Sequence, residues 1–339
     1  MTGPVNTPWN DSAGSPASGA VNGSAGAPCR PRVLVLRALG LGDLLAGVPA
    51  LRALRREFRQ CEIVLAAPRE LEPLARLSGA VDTLLHASAP GRAVPGEIGW
   101  QGPPPQVAVD LHGRGPESMR PLLRLNPRRL LAFAAPDGPE WYAEEHERDR
   151  WCRFLAEYGV PADPRDLRLP RPGAVSPAPG AVVLHPGAGS PARCWPVERY
   201  AAVAAGLRRS GRRVVVTGGP HEREPAARLA KLADLPGTDV LCGPPLEELA
   251  ALVADASAVV SGDTGIAHLA VALGTPSVTL FGPVPPRLWG PPPLPRHRVL
   301  WHPGPPGDPH GRDPDPLLLR IRPEEVLAAL SRLPEVPAV

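Results

Sequence analysis

The strongest constraint on the fold is a unit that recurs along the chain: a short apolar run, a glycine-containing turn and a helical pattern. The run "RVLVLRA" at residues 32–38 precedes a helical pattern at 42–58, and the same order returns over 181–209 and 213–233. Such alternation is typical of parallel sheets covered by helices on both faces. We therefore predict an α/β protein with two doubly wound domains joined by one linker.

Composition divides the chain into five segments. Residues 1–29 are mostly small and polar and have no charged region followed by an apolar run, which predicts a disordered tail and no signal peptide. The Pro-crowded stretch 283–316 is predicted to be loop. The predicted order is a disordered N-terminal tail (1–29), an N-terminal domain (30–165), a Pro-rich linker (166–180), a C-terminal domain (181–320), and a closing helix and tail (321–339).

Charge and cysteine content exclude several classes of partner. The formal net charge is +3 and the basic residues are scattered, which argues against a nucleic-acid groove and against a polybasic membrane anchor. The five cysteines are far apart and form no C-x-x-C pair, which is typical of a reducing compartment. No stretch reaches the roughly 20 apolar residues of a membrane span. We expect a monomer in the cytoplasm or bound peripherally at the inner face of the membrane.

Candidate binding residues lie directly after the predicted strands. Ligands of open α/β sheets bind beyond the carboxyl ends of the strands. In the first half, "GLGD" places Gly42 and Asp43 there. In the second half the turns "HPGAG", "TGGPHE" and "SGDTGIAH" have glycines that allow backbone N–H groups to approach a phosphate. These three turns contribute Gly187, Gly218, Gly219, Glu222, Asp263, Thr264, Gly265 and His268.

Other common phosphate and metal motifs fit poorly. Residues 40–47 have the spacing G-x-G-x-x-x-x-G instead of G-x-G-x-x-G, and the second strand ends in "LAAPR" without the acid that contacts a ribose. Arg69 leaves a 2′-phosphate dinucleotide as a minor alternative. No glycine run is followed by Gly-Lys-Ser/Thr, which excludes a P-loop. The acid pair "DPD" at 313–315 lies in a Pro-rich loop, which favours a solvated turn over a metal site.

Five of these segments, in order, resemble glycosyltransferase family 9, the heptosyltransferase-like enzymes. They are "RVLVLRALGLGDLLAGVPALRALRREF", "VDLHG", "LHPGAGSPARCWPVERYAAVAAGL", "VVVTGGPHE" and "VVSGDTGIAHLAVALGTPSVTLFGP". The resemblance spans residues 31–332 and implies the GT-B fold, in which two doubly wound, Rossmann-like domains face each other across a cleft. The first domain would bind the acceptor and the second the nucleotide sugar. It also implies an inverting transfer of a sugar, typically heptose, from an ADP-activated donor to a hydroxyl of a glycan or glycosylated metabolite. No obligatory metal or other cofactor is implied, and Mg²⁺ is not indicated.

The resemblance assigns chemical roles to individual residues. Asp43 matches the general base that takes the proton of the acceptor hydroxyl. Arg193 stands where the family has a phosphate-binding lysine, and guanidinium can bind phosphate through two parallel hydrogen bonds. Glu222 matches the acid that contacts the nucleotide ribose. Thr264, with Gly265 at the predicted helix start, would bind the diphosphate, whereas Asp263 would accept hydrogen bonds from the donor sugar.

The acceptor side is predicted around the turn that contains Gly42 and at the end of the strand "VAVDLH". That strand end brings Asp110, His112 and Arg114 to the same edge of the sheet. Arg114 suits an acidic acceptor, but a surface ion pair is its more ordinary role.

Structural roles and other functions remain open beside these assignments. Asp43 and Glu222 could be acids in the first turn of a helix, Asp263 and Thr264 could be helix caps, and His268 could be a packed, hydrogen-bonded histidine. A GT-B sugar epimerase would need further acids in the cleft. A non-catalytic nucleotide-sugar-binding protein would dispense with Asp43.

Overall fold

The first half of the described chain forms one parallel sheet with flanking helices. The computed structural model describes residues 30–334, so the tail predicted at 1–29 lies outside the described residues, as does 335–339. The strands are β1 (Arg32–Leu36), β2 (Glu62–Ala67), β3 (Thr83–His86), β4 (Val107–Asp110) and β5 (Arg129–Leu131). The helices are α1 (Leu41–Glu57), α2 (Glu72–Leu77), α3 (Arg120–Leu123) and α4 (Glu147–Glu157). The spatial strand order is β3-β2-β1-β4-β5.

A second parallel sheet follows, in the order β11-β10-β9-β6-β7-β8. Its strands are β6 (Val182–His185), β7 (Val214–Gly218), β8 (Val240–Cys242), β9 (Ala258–Gly262), β10 (Ser277–Leu280) and β11 (His297–Leu300). Its helices are α5 (Val197–Arg209), α6 (Arg223–Leu232), α7 (Leu246–Ala254), α8 (Gly265–Leu273), α9 (Pro286–Trp289) and α10 (Pro323–Ser331). Over residues 30–334, none of the helices has the length and apolar character needed to cross a membrane.

In both sheets the chain adds strands first on one side of a central strand and then on its other side. β1 lies between β2 and β4, and β6 lies between β7 and β9. The central strands are apolar because helices cover both faces, and Val33 and Val183 are fully buried. At such a switch point the loops beyond the carboxyl ends of the strands leave a crevice for ligands. The residues that follow β1, β4, β6 and β9 are therefore placed to form a binding site.

One apolar cluster joins the two sheets beneath this crevice. It contains Leu51 of α1 and Trp151 of α4 together with Val183 of β6 and Leu269 of α8, all almost completely buried. Helices α1 and α8 pack against each other within it. Because burying one side chain of this kind contributes about 1.5–3 kcal/mol, the shared cluster gives the crevice a stable floor.

Two regions differ from the sequence predictions. Within 283–316, predicted to be loop, the structure has α9 and β11, and β11 pairs in parallel with β10. Prolines surround this strand, but it lies at the sheet edge, where flanking prolines are tolerated. The linker at 166–180 has no helix or strand, yet Leu169 is buried and its N–H donates to the Ala272 carbonyl at 2.8 Å. An irregular segment can enter a core when its backbone groups find partners.

Candidate functional site

The carboxyl ends of both sheets border one cleft of about 1480 Å³. Most of the residues predicted to bind the donor line it, as do the turn and the acid at the start of α1. They are Gly42, Asp43, Arg193, Gly218, Gly219, Glu222, Asp263, Thr264, Gly265 and His268. The structure therefore confirms that these strand-end turns meet at one cleft, and the binding roles of their residues stay predictions.

Asp43 is the third residue of α1 and faces the cleft from the first domain. Its Oδ2 accepts a hydrogen bond from the Gly40 N–H at 3.0 Å, and Nη1 of Arg92 lies 3.9 Å from the same oxygen. The carboxylate thus satisfies one free N–H group at the start of the helix, which is the structural role that the sequence left open. Capping does not bury the group, because the side chain is 18% exposed to the cleft.

Two glycines allow the N-terminal ends of α1 and α8 to touch. A Cβ on Gly42 would lie 2.9 Å from His268 Cδ2, and a Cβ on Gly265 would lie 2.9 Å from Leu41 Cβ. Real Cβ atoms do not approach other atoms so closely, so a side chain at either position would force the two helices apart. Close packing between the domains therefore accounts for Gly42. The contact brings Asp43 and the start of α8 to the same part of the cleft.

Asp263 is buried and His268 is half-buried beside this contact. Nε2 of His268 lies 3.9 Å from Oδ1 of Asp263. Burial raises the pKa of Asp263 to about 6, the guanidinium of Arg193 lowers it, and the charge of Asp43 raises it further. Burial, with nearby cations, lowers the pKa of His268 to about 4. At neutral pH the imidazole is therefore uncharged.

The start of α8 presents free hydrogen-bond donors to the cleft. Thr264 is the N-terminal cap residue and has extended backbone angles, but its hydroxyl makes no capping hydrogen bond. The simple capping interpretation of this threonine is therefore wrong. The first N–H groups of a helix have no partner within it and carry the positive end of the helix dipole. This end of the cleft is suited to an anion.

Arg193 places a positive charge beside that helix start. Its Nη1 donates to the Asp263 carbonyl at 3.3 Å. Its Nε is buried and has no hydrogen-bond partner among the described residues. A Cβ on Gly189 would lie 2.9 Å from Nη2, so that glycine makes room for the guanidinium. Arg193 is thus directed into the cleft by the turn after β6.

Glu222 lies over the glycines of two neighbouring turns. Its Oε2 accepts a hydrogen bond from the Gly219 N–H at 2.6 Å and lies 3.6 Å from Nε2 of His185. A Cβ on Gly187 would lie 2.0 Å from Cδ of Glu222. Gly187 does not itself line the cleft; it makes space for the carboxylate. A Cβ on Gly218 would also crowd Glu222, at 3.1 Å from its Cβ.

The residues predicted on the acceptor side after β4 do not reach the cleft. Asp110 is fully buried; its Oδ2 accepts from the Ser118 hydroxyl at 2.6 Å and its Oδ1 from the His112 N–H at 3.0 Å. Burial raises the pKa of Asp110 to about 6 and lowers that of His112 to about 4. Arg114 is exposed, and none of these residues lines the cavity. Asp110 organises the loop after β4.

Asp110→Ala is expected to lower the free energy of unfolding by about 1–3 kcal/mol, because two buried donors lose their acceptor. Asp110→Asn keeps an acceptor and should cost less. Urea unfolding of both variants measures the effect. If Asp110→Asn instead abolishes turnover in a protein of unchanged stability, Asp110 acts on a substrate and its role is not only structural.

The acid pair at 313–315 also differs from its prediction. Asp313 is exposed, but Asp315 is buried and its Oδ1 accepts from the Leu317 N–H at 2.8 Å. The prediction of a solvated turn therefore holds for Asp313 but not for Asp315, whose carboxylate accepts a hydrogen bond from the backbone that leads to the last helix. Within residues 30–334 there is no group of three or more His, Cys, Asp or Glu side chains with the geometry of a metal site.

Arg92 and Trp289 are two of the cleft-lining residues that sequence reasoning missed. Arg92 follows Gly91 in a left-handed turn, with φ values of 60° and 65°, and its guanidinium lies against Gly40. Trp289 meets His268 edge to face, with ring centroids 5.8 Å apart. The available signal for Trp289 was an aromatic residue after the apolar run "SVTLF", but the surrounding prolines favoured a loop.

Comparison with known proteins is informative mainly for the second domain. Residues 167–304 match the family model Glycosyltransferase family 9 (heptosyltransferase). Over 97 residues the chain is 41% identical to lipopolysaccharide heptosyltransferase 1 of Salmonella typhimurium, an alignment that covers 28% of this chain and 30% of that protein. Over 166 residues it is 35% identical to lipopolysaccharide heptosyltransferase 1 of Pseudomonas aeruginosa, an alignment that covers 48% of this chain and 46% of that protein. The chain thus matches less than half the length of these curated relatives.

Comparison of folds covers both domains. The structure described as Escherichia coli ADP-heptose lps heptosyltransferase II superposes with a TM-score of 0.70 at 20% identity, and covers 88% of this chain and 97% of that one. Similarity at this identity shows a common fold, with two Rossmann-like domains in the GT-B arrangement. The predicted fold is confirmed, and so is the resemblance to family 9 in the part that the family model matches.

Proposed function

This chain resembles glycosyltransferase family 9 in the sequence of its second domain and in the fold of both domains, and on that premise we propose that it is an inverting glycosyltransferase. It moves a heptose from an ADP-activated donor to a hydroxyl of a glycan or glycosylated metabolite. The observation that carries the proposal is the contact between Gly42 and His268, which sets a cleft-facing carboxylate beside the start of α8.

The reaction begins at Asp43. The acceptor hydroxyl transfers its proton to this carboxylate while its oxygen attacks the anomeric carbon of the donor sugar. The bond between that carbon and the diphosphate oxygen breaks at the same time, and the diphosphate leaves with the electron pair. Attack from the side opposite to the leaving group inverts the anomeric configuration.

The leaving diphosphate gains negative charge as the bond breaks. The N–H groups at Thr264 and Gly265, the Thr264 hydroxyl and the guanidinium of Arg193 lie together where that charge would develop. Donors that are already in place stabilise such charge without reorganisation of solvent. These groups can meet the leaving group without a bound metal, and we propose no obligatory metal or other cofactor.

The remaining donor contacts come from two acids. Asp263, one residue before the anion site, would accept hydrogen bonds from hydroxyls of the sugar. Glu222, already fixed on the Gly219 N–H, would accept from the ribose. The cleft therefore has adjacent sites for sugar and phosphate, which explains why a carboxylate and an anion site are neighbours.

Donor affinity is expected to fall as the pH is lowered through about 6. Asp263 must be ionised to accept two hydrogen bonds, and its pKa of about 6 means that most of it is protonated at pH 5. Affinity should be about tenfold weaker there than at pH 7. His268 stays neutral across this range. Calorimetric titration with ADP-heptose from pH 5 to 8 measures the effect, and Asp263→Asn should remove it; an unchanged profile in that variant would assign the titration to another group.

The same raised pKa acts on stability in the opposite direction. A folded-state pKa above the unfolded value of 3.8 means that the folded protein binds the proton more tightly. This contribution to stability is complete below about pH 4 and is lost as the pH rises through 6. Weaker donor binding at pH 5 would therefore not reflect unfolding caused by Asp263.

A screen of nucleotide sugars tests the proposed function. ADP-, GDP-, UDP- and dTDP-sugars are compared for thermal stabilisation and slow hydrolysis, and transfer from ADP-heptose is then assayed on a heptose-deficient lipopolysaccharide core and on small glycosides. A donor at 100 times its Kd stabilises the folded state by about 2.7 kcal/mol. If no nucleotide sugar binds, the transferase proposal is wrong; if donors bind but no acceptor is glycosylated, the binding-protein alternative replaces it.

A cytoplasmic monomer is part of the same proposal. Activated nucleotide sugars fit that compartment, and so do cysteines outside disulfides, which Cys152, Cys194 and Cys242 are in the described part of the chain. Light scattering of the purified chain measures the oligomeric state. Lipopolysaccharide is proposed as the first acceptor to test because the curated relatives carry it in their names.

A further inference from the structure

A buried arginine lies directly behind the cleft-facing turn of α1. Arg37 follows β1 and is only 1% exposed. Its Nε donates to the Asp43 carbonyl at 2.7 Å, and its Nη1 donates to the Leu111 carbonyl, just after β4, at 2.5 Å. One side chain therefore ties the first turn of α1 to the ends of two neighbouring strands. It does not line the cleft itself.

The third branch of this arginine reaches a buried acid. Nη2 of Arg37 donates to Oε1 of Glu147 at 3.1 Å. Glu147, the first residue of α4, also accepts from Arg150 at 2.5 Å and from the Trp151 indole at 2.6 Å. Buried charges persist where their hydrogen-bonding capacity is satisfied, and such networks hold one geometry. Arg37 is therefore fixed at all three of its donor positions.

Gly47 provides the space that this arrangement needs. A Cβ at position 47 would lie 2.8 Å from Nε of Arg37 and 3.0 Å from its Cδ. Gly47 is the last glycine of the G-x-G-x-x-x-x-G pattern, whose spacing fits no dinucleotide-binding turn. In an exposed helix a glycine at this position would only weaken the helix. Here Gly47 makes room for the side chain of Arg37 against the first turns of α1.

We propose that Arg37 is a positioning residue for Asp43, and that Gly47 is glycine so that Arg37 can act. The inference rests on the proposed function, because it assigns Asp43 the role of base. Removing the bond to the Asp43 carbonyl frees the first turn of α1, and the carboxylate then loses its fixed distance to the acceptor hydroxyl. Small displacements of a reacting group can cost about 100-fold in rate.

The test compares Arg37→Met, Arg37→Lys, Gly47→Ala and the double variant Arg37→Met/Gly47→Ala. Each of the Met and Ala single variants is expected to lower kcat by about 10- to 100-fold, while KM for the donor and the calorimetric affinity for ADP stay within about twofold. Lysine keeps the charge and part of the hydrogen bonding, so it should restore part of kcat. The double variant should be no slower than the slower single variant, because both changes remove one interaction.

Two variants serve as matched controls for charge and backbone. Arg228→Met removes an exposed arginine that pairs with Glu198, and Gly173→Ala adds a Cβ where no atom lies within 4 Å. Both should keep the wild-type kcat. Gly47→Ala leaves the charge of Arg37 in place and introduces a better helix former, so it reports on positioning even if Arg37→Met fails to fold.

Three results would overturn the inference. The first is a wild-type kcat in folded Gly47→Ala and Arg37→Lys. The second is a double variant whose losses multiply, which would mean two independent effects. The third is a parallel loss of ADP affinity, which indicates general distortion of the cleft. If wild-type protein transfers sugar but the variants do not differ from it, only this inference fails; if wild-type protein uses no nucleotide sugar, the proposed function fails with it.

Discussion

Replacing Asp43 with asparagine is expected to lower kcat for sugar transfer by about 10²–10⁴-fold, because the acceptor hydroxyl loses the base that takes its proton. Asparagine has nearly the same shape and can still accept the Gly40 N–H, so the start of α1 should keep its structure. Donor affinity should be retained, since the role proposed for Asp43 is toward the acceptor hydroxyl. Single-turnover transfer and calorimetry with the donor measure the two quantities separately.

Asp234→Asn is the matched control for this experiment. Its side chain is 99% exposed and its φ is 51°, a conformation that asparagine adopts readily. It should leave both kcat and stability unchanged. Normal turnover by Asp43→Asn would show that another group is the base. The same variant also tests the coupling across the cleft: without the Asp43 charge, the pKa of Asp263 should fall, and donor binding should persist to lower pH.

Arg193→Met is expected to lower kcat by about 10²–10³-fold, the usual loss when one preorganised donor to developing charge is removed. The kcat of Arg193→Lys should lie between those of the wild-type protein and Arg193→Met, because an ammonium group keeps the charge but not the two-pronged geometry of guanidinium. The loss should be greatest for donors with poor leaving groups. Transfer rates with a series of donors measure it.

A change in the pH profile distinguishes this role from a structural one. The Arg193 guanidinium lowers the pKa of Asp263, so Arg193→Met should raise that pKa above 6 and donor binding should weaken at a higher pH than in the wild-type protein. Arg228→Met, on an exposed ion pair, should change neither kcat nor the profile. A large loss of kcat without movement of the profile would place Arg193 away from the Asp263 contact.

Much of the fold followed from the sequence because its signals are local. The apolar run "EIVLAA" forms β2 over its whole length, and the strand that begins at Val107 was predicted two residues too long. Fully buried parallel strands appear as unbroken apolar runs, and each ends in glycine or a polar residue where the chain leaves the sheet. β11 escaped prediction because four residues at a sheet edge among prolines carry too weak a pattern.

Part of the candidate site could also be predicted from local signals in the sequence. Asp43, Glu222 and Asp263 each follow a strand, and parallel strands bring their carboxyl ends to one edge. Of the residues predicted on the acceptor side, Gly42 lines the cleft but the three after β4 do not, because position after a strand does not determine the direction of a side chain. Asp110 also follows a strand, yet it turns inward to the Ser118 hydroxyl.

The sequence by itself determined the two α/β domains, the glycine-containing turns that line the cleft and the placement of an acid after the first glycine turn. Only the tertiary structure decided which partners those residues have. Arg37 meets Glu147 across 110 positions of the chain, and Gly42 meets His268 across the domain boundary. Periodicity and turn chemistry act between near neighbours in sequence, whereas burial and hydrogen bonding between distant segments depend on how the two sheets pack.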